Sequence, residues 1–365
     1  MEKFPKRNFK SINCINFNMK FGIVCKQDDK FLLDSVKNII ALLKRKNHKV
    51  ELEKTLNTLL KMNEVELQIT DMTAKIILAI GDDATILRVF RDIGSKKIPI
   101  LGISSGMLSF LAETDVNNFE IALKRIEQKK YSIEKRARIA VSVDGKVLPF
   151  ALNELVISAS RGATIVRYTL KVDKELIWRD SADGIIIATP TGSTGYALSA
   201  GGPVVSNKSN IFVVIPVCSI NHNKPFVVSD NSEVVISEIS SPATCEAVVD
   251  GKFRFGLDSS TIVIKKADYP ALFVRFGREL NSKVFGKLRK RIETADMISK
   301  DAPPSAKFIY KILQYEGALT QKEIVRLSLL PSRTVRSALD YLVKAGLISR
   351  QTSIRDTRQS IYSTV

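Results

Sequence analysis

The sequence predicts three unequal parts: an α/β layer, a β-rich sandwich-like domain, and a small helical module closed by a β-hairpin. Three observations carry this. Strand-like and helix-like runs alternate over roughly the first third of the 365 residues, short β-branched runs replace them from Ile139, and helical spacing returns after Pro303-Pro304. The expected boundaries are an extension at 1–18, the α/β part at 19–130, the β-rich part at 131–285, a linker at 286–304 and the helical module at 305–365. The extension precedes Met19, which reads either as a disordered arm or as an alternative start.

Each element follows from its pattern. Phe21–Cys25 is an apolar run between Lys20 and Lys26 and reads as a buried strand. Val36, Ile39, Ile40 and Leu43 give Ser35–Lys44 helical spacing. Lys75–Ile80 is a second strand ending at Gly81, Arg88–Ile93 a helix, and Ile98–Gly102 the next strand. Such alternation implies a parallel sheet with crossover helices. Strands are then expected at Ile139–Val143, Leu155–Ser158, Thr164–Val172, Ile185–Ala188, Ile211–Pro216, Glu233–Ile236, Glu246–Val249 and Thr261–Lys265. Asp144-Gly145 and Asp250-Gly251 punctuate them as turns. Pro303-Pro304 resists helix and sheet and marks a boundary.

Composition narrows the chemistry. The four cysteines, Cys14, Cys25, Cys218 and Cys245, are far apart, which argues against a zinc site or disulfide framework and fits a reducing cytoplasm. With only two histidines, His48 and His222, acid–base work falls to Asp or Glu. No run of 18 apolar residues and no signal-like apolar region occurs, so no membrane partner is expected. A net charge of +18 points to polyanionic company, nucleotides or nucleic acid.

Two segments carry the chemistry. Gly81-Asp82-Asp83-Ala84-Thr85 follows a strand and opens a helix, where backbone amides and the helix dipole favour phosphate. The other runs from Asp183 through an apolar strand into Thr189-Pro-Thr-Gly-Ser-Thr-Gly-Tyr196 and on to Pro203. That turn holds four Ser/Thr hydroxyls and two glycines, donors suited to a nucleotide, and Tyr196 suits purine stacking.

These segments resemble the ATP-dependent NAD kinase family across roughly residues 19–290. The family's G-G-D-G-T turn is matched by Gly81–Thr85, and G-I-N-x-G-x-L-G-F-L by Gly102-Ile-Ser-Ser-Gly-Met-Leu-Ser-Phe-Leu111. Its N-E pair is matched by Asn153-Glu154, and D-G…T-P-T-G-S-T-A-Y…S-A-G-G-P by Asp183–Pro203, with Gly195 in place of alanine. Asp250-Gly251 matches a later D-G pair. Lipid kinases share the first turn but lack the T-P-T-G-S-T block, which leaves a diacylglycerol-type kinase as a minor alternative.

The resemblance implies phosphorylation of the 2′-hydroxyl of NAD's adenosine ribose by ATP with Mg²⁺ or another divalent cation, in a dimer or tetramer. It implies that Asp83 orients that hydroxyl and accepts its proton. A carboxylate with a pKa of about 3.9 is a feeble base, so positioning and electrostatics should supply most of the rate. It further implies that Asn153 and Glu154 bond the dinucleotide, that Asp183 meets its nicotinamide end, and that Gly81, Asp82, Ala84 and Thr85 face phosphate. Thr191, Thr194, Gly195, Tyr196 and Ser199 would line the pocket, with Asp250 nearby.

Three departures matter most for activity: Asp82 and Ala84 replace glycines, and Ser104 replaces asparagine. If Ala84 needs φ > 0, its Cβ costs about 1–2 kcal/mol. Asp82 would repel phosphate by roughly 1–4 kcal/mol at about 4 Å, or else bind Mg²⁺. Such penalties raise the alternative of a catalytically weak or inactive NAD(H)-sensing regulator.

In the C-terminal module, Phe308, Ile309, Ile312 and Leu313 place a helix over Ala306–Gln314. Thr320-Gln-Lys-Glu323 opens a second through Leu327 with a capping box, and Pro331-Ser332 precedes a third from about Arg333 to Ala345. Leu347–Ser353 and Ser360–Ser363 read as strands around a basic tip. The order resembles a winged helix-turn-helix of the multiple-antibiotic-resistance-regulator type, through the D-x-R-x-x-x-Y run at Asp356–Tyr362. From Pro303 to Val365 ten basic residues face four acidic ones, a net of +6. The resemblance implies double-stranded DNA as partner, with Ser332, Arg333, Thr334 and Arg336 in the major groove and Arg355 and Arg358 on the wing. A winged helix used only for assembly is the alternative.

Overall fold

The computed structural model describes residues 18–26, 30–105, 109–277, 302–316, 319–345, 347–352 and 360–364. The expected extension, nearly all of the expected linker, and Arg355 and Arg358 lie outside the described residues.

The first layer is one eight-stranded sheet. It comprises β1 (Lys20–Cys25), β2 (Lys49–Glu53), β3 (Val65–Leu67), β4 (Ile76–Ile80), β5 (Ile100–Ser104) and the short β6 (Thr114–Asp115). These strands pair in parallel, in the order β3-β2-β1-β4-β5, with β6 on β5. Helices α1 (Lys30–Arg45), α2 (Lys54–Leu60), α3 (Asp83–Asp92) and α4 (Phe119–Glu127) connect them. The order reverses between β1 and β4, so the carboxyl ends of those strands, at Lys26 and Gly81, flank the switch point where such sheets take ligands.

The sequence boundary at 131 is corrected by two strands from beyond it. β7 (Ser132–Arg136) and β20 (Ala271–Arg275) complete this same sheet, β20 parallel to β5 and antiparallel to β7. The chain therefore leaves the α/β layer, builds the β-rich part, and returns. Strand β2 escaped the sequence reading because its acidic positions are buried by pairing rather than exposed. Glu51 takes Lys20 and the Thr73 hydroxyl and amide, and Glu53 takes Arg88 at 2.5 Å. Helix α3 begins five residues before the expected Arg88, because Asp82 caps it.

The β-rich part is two six-stranded sheets. One holds β10 (Glu154–Ala159), β13 (Gly184–Ala188), β14 (Ile211–Val217), β15 (Phe226–Ser229), β17 (Cys245–Val249) and β18 (Phe253–Leu257). The other holds β8 (Ile139–Val143), β9 (Lys146–Val147), β11 (Val166–Val172), β12 (Glu175–Ala182), β16 (Val234–Ser240) and β19 (Ile262–Lys266). Their inner faces share one core, in which Ile157, Ile185, Ile187 and Val214 join Val141, Leu170, Ile236 and Ile264. Ile186, Val213 and Ile215 lie in a second cluster with Ala197 of the short α5 (Tyr196–Ser199). β13 is thus buried on both faces, which is why it reads as a continuous apolar run.

A seam joins the two parts. Arg138 is 1% exposed and donates to the carbonyls of Phe90 (3.1 Å), Gly94 (2.9 Å) and Tyr269 (2.6 Å). Burial pulls its pKa down to about 10.

The C-terminal module contains α6 (Pro304–Glu316), α7 (Gln321–Ser328) and α8 (Ser332–Lys344) around Ala306, Ile309, Leu313, Ile324, Val335, Leu339 and Leu342. The capping box of Thr320 and Glu323 is present. Strands β22 (Ile348–Thr352) and β23 (Ser360–Thr364) form the expected antiparallel pair. A third strand, β21 (Leu319–Thr320), was not expected and pairs with β23. Among the described residues no helix is long and apolar enough to cross a membrane.

Candidate active site

The site is built where α3 opens at the switch point. Gly81 has φ +150°, and a Cβ there would lie 2.6 Å from Thr85 Oγ1. Asp82 is the N-cap: its Oδ1 accepts from the Thr85 amide and hydroxyl, both at 2.9 Å, and Oδ2 pairs with Lys26 at 3.2 Å. Burial works to raise the pKa of Asp82, but the Thr85 and Lys26 bonds outweigh it and hold it below the usual carboxylate range.

This disposes of two expected penalties. Asp82 stands where the resembled turn has glycine, and it serves as a helix cap paired with Lys26. Among the described residues no group of three or more metal-ligating side chains exists. Ala84 lies inside α3 with a helical backbone, not at positive φ. Ala84→Gly should therefore bring no relief of strain. It should lower stability by about 0.5–1 kcal/mol, read as a small drop in Tm, with kcat within about twofold.

The carboxylate of Asp83, on the first turn of α3, turns toward residues 109–111. Oδ1 accepts from Ser109 Oγ and from the Leu111 amide at 3.1 Å, and Oδ2 from the Phe110 amide at 3.0 Å. Sequence reasoning picked Asp83 but missed these partners, though they lie in the Gly102–Leu111 segment it had singled out. Ser104, at the end of β5, is buried.

A second constellation sits at the start of β10. Asp250 has φ 46°, is 6% exposed, and accepts from the amides of Leu152 (2.9 Å), Asn153 (2.8 Å) and Glu154 (3.2 Å). Expected near the pocket, it clamps the backbone that presents Asn153 and Glu154. Leu152 lies in one apolar cluster with Ile86, Val89 and Phe90, which sets this segment beside α3.

Burial raises the Asp250 pKa to about 6 against the pull of those amide bonds. Burial first, and the Asp250 charge second, push Glu154 to about 8. Asn153 Oδ1 and Glu154 Oε2 are buried and bond to nothing in the protein. Buried acceptors without partners are costly, so a ligand is the natural complement.

The Thr189–Tyr196 turn folds over this pair. Gly192 is obligatory, since a Cβ would lie 2.2 Å from the Asn153 carbonyl oxygen. Gly195 brings the turn close as well: its Cβ would lie 3.3 Å from Glu154 Oε2 and 3.6 Å from Asn153 Nδ2. Two of the four hydroxyls in this turn serve the protein itself. Thr189 and Ser193 are fully buried, Thr189 Oγ1 donating to Leu152 O at 2.6 Å and Ser193 Oγ to Pro190 O at 2.7 Å. They hold the turn. Thr191 is also buried, Thr194 and Gly195 are half-buried, and Tyr196 and Ser199 are exposed.

Asp183 is not part of this cluster. It precedes β13, whose Gly184 pairs with Ser158 while Ala188 pairs with Glu154. Asp183 and Glu154 therefore stand at opposite ends of a strand pair, about 15 Å apart at the usual rise per residue.

Comparisons with known proteins bear on the family. Residues 21–131 match the model of the ATP-NAD kinase N-terminal domain, and residues 152–276 that of the C-terminal domain. An NAD kinase of Thermococcus sibiricus is 36% identical over 277 residues, covering 75% of this chain and 100% of that protein. One from Methanothermobacter thermautotrophicus is 34% identical over 273 residues, covering 74% and 96%.

Among solved structures, an Archaeoglobus fulgidus NAD kinase in complex with ATP aligns with TM-score 0.62 and 32% identity, covering 74% of this chain and 99% of that one. Yeast NADH kinase complexed with NADH aligns with TM-score 0.67 at 18% identity, covering 74% and 87%, a likeness of fold alone. The family models end at residue 276, so α6–α8 lie beyond them. Across its α/β layer and paired β-sheets, this chain belongs to the NAD kinase family.

Proposed function

We propose that the chain transfers the terminal phosphoryl group of ATP to the 2′-hydroxyl of the adenosine ribose of NAD, yielding NADP. The observation that carries this is the Asp83 carboxylate, fixed by three donors at the N-terminus of α3. Asp83 orients the ribose hydroxyl and takes its proton late, while the Gly81–Thr85 turn and the α3 dipole face the phosphates. Asn153 Oδ1 accepts from the dinucleotide, Glu154 Oε2 donates to it when protonated and accepts when ionised, and Tyr196 and Thr194 border it. The unstrained backbone at Asp82 and Ala84 supports an active kinase over a sensor.

A divalent cation fits only as a partner of the ATP phosphates, because no described side-chain cluster would hold one alone. When bound it would neutralise phosphate charge. Asp183 would meet a dinucleotide held at Asn153-Glu154 at its far end, from the same chain or from a second copy in a homo-oligomer. Coupled detection of NADP⁺ from NAD⁺ and Mg-ATP tests the reading, and no product above that of Asp83→Asn would overturn it.

The module after Pro303 reads as a winged helix-turn-helix that binds duplex DNA. Ser332, Arg333 and Arg336 are exposed along α8, with Thr334 half-buried beside them, while Val335, Ala338, Leu339 and Leu342 face its core. Arg333→Ala with Arg336→Ala in the full chain should weaken DNA binding by about ten- to a hundredfold at about 0.1 M salt and flatten its salt dependence. An unchanged gel shift would favour a module used for assembly.

A further inference from the structure

Of the three donors on Asp83, two are backbone amides that almost any sequence would supply. The third is a side chain. Ser109 occupies a position where the resembled G-I-N-x-G-x-L-G-F-L pattern has glycine, which has no hydroxyl to give. Its Oγ donates to Asp83 Oδ1 and accepts the Ala112 amide at 2.9 Å, so the hydroxyl is held from both sides in a position 6% exposed.

The turn bearing it is anchored in turn. Arg275 Nη1 donates to the Leu111 carbonyl at 3.1 Å, while its Nε is held by Glu134 at 2.8 Å and its guanidinium lies 4.5 Å from the Phe273 ring centroid. Glu113 completes the anchor, accepting from Arg275 at 3.4 Å and from the Phe276 amide at 3.0 Å. The last strand of the α/β sheet thus steadies the turn that steadies Asp83.

We propose that Ser109 is a positioning residue for phosphoryl transfer. Asp83 Oδ1 takes two donors, from Ser109 and Leu111, which fill its acceptor positions. Oδ2 takes the Phe110 amide and keeps an acceptor position for the ribose hydroxyl. Ser109 decides which carboxylate oxygen works, and it acts only through Asp83, so the inference rests on the reading of Asp83 given above.

The test is steady-state NADP⁺ formation by the full-length Ser109→Ala and Ser109→Thr variants beside wild type and Asp83→Asn. Ser109→Ala should lose about tenfold in kcat, with KM for NAD and for Mg-ATP within about twofold, because the missing bond matters in the transition state and not in substrate binding. Ser109→Thr, which keeps a hydroxyl, should recover most of the loss. A kcat within twofold of wild type for Ser109→Ala, a rise in KM that parallels the fall in kcat, or a threonine variant as slow as the alanine one would each overturn the proposal. If Asp83→Asn itself turned over normally, the reading of Asp83 would fail. If Asp83→Asn were inactive and Ser109→Ala normal, only the role of Ser109 would fail.

Discussion

Asp83→Asn should lower kcat for NADP⁺ formation by about a hundredfold to a thousandfold, with KM for NAD little changed. Two losses combine. The amide cannot accept the ribose proton, which removes general-base help. It also misfits its own cradle, since the three groups around the carboxylate, Ser109 Oγ–H and the amides of Phe110 and Leu111, are all donors. The NH₂ of asparagine must then face one of them, donor against donor, costing on the order of 1–2 kcal/mol and tilting the side chain. A larger loss is not expected. A carboxylate is a poor base for a sugar hydroxyl, so most of the acceleration comes from holding ATP and ribose in line, and the variant keeps the α3 dipole and the Gly81 turn. A variant within tenfold of wild type would move the proton-accepting role to another group.

Much of this arrangement was legible in the sequence, and the reasons differ by element. β13 announced itself because burial on both faces leaves an unbroken apolar run, and the turn after it because four hydroxyls and two glycines crowd into eight residues that follow Asp183 and that strand. The three helices of the C-terminal module were readable from capping and apolar spacing, since Thr320 and Glu323 satisfy each other locally. What local pattern could not carry was any pairing that reaches across the chain. β2 went unassigned because its glutamates are answered by Lys20 and Arg88, at either side of it in sequence. β20 gave no sign that it leaves the β-rich part to sit beside β5, a decision set by tertiary packing.

The same distinction runs through the site. Asp83, Asn153 and Glu154 could be chosen from their motifs, but roles depend on what faces them. Asp250 looked like one more polar group near the nucleotide, and its real work is to accept three consecutive amides 96–98 residues away. Asp82 looked like a liability until Thr85 and Lys26 were placed against it. Thr189 and Ser193 stand in the same turn as Thr191 and Thr194, yet their hydroxyls are given to carbonyls of the protein. In each case the residue type limits the chemistry, while the partner, supplied by a distant segment, selects which chemistry occurs.

Glu154 offers the sharpest pH-dependent consequence. Burial, aided by the neighbouring Asp250 charge, raises its pKa in the folded chain from 4.5 to about 8. A carboxyl whose folded pKa is raised contributes stability fully below its unfolded value, near 4.5, and loses that contribution as pH climbs through about 8. Wild type should therefore lose stability across that window, with Asp250, raised from 3.8 to about 6, adding to the lower half of it. Glu154→Gln is neutral at every pH and has nothing to lose there. Denaturant unfolding of the ligand-free protein should show the two nearly equal at about pH 5, with the variant ahead by on the order of 3 kcal/mol above about pH 8.5. The gain requires that Oε2 lack a partner in the ligand-free state, as it does. Stability curves that run parallel from pH 5 to 9 would mean that the carboxyl ionises freely, and that its solvation, not its burial, governs the pocket.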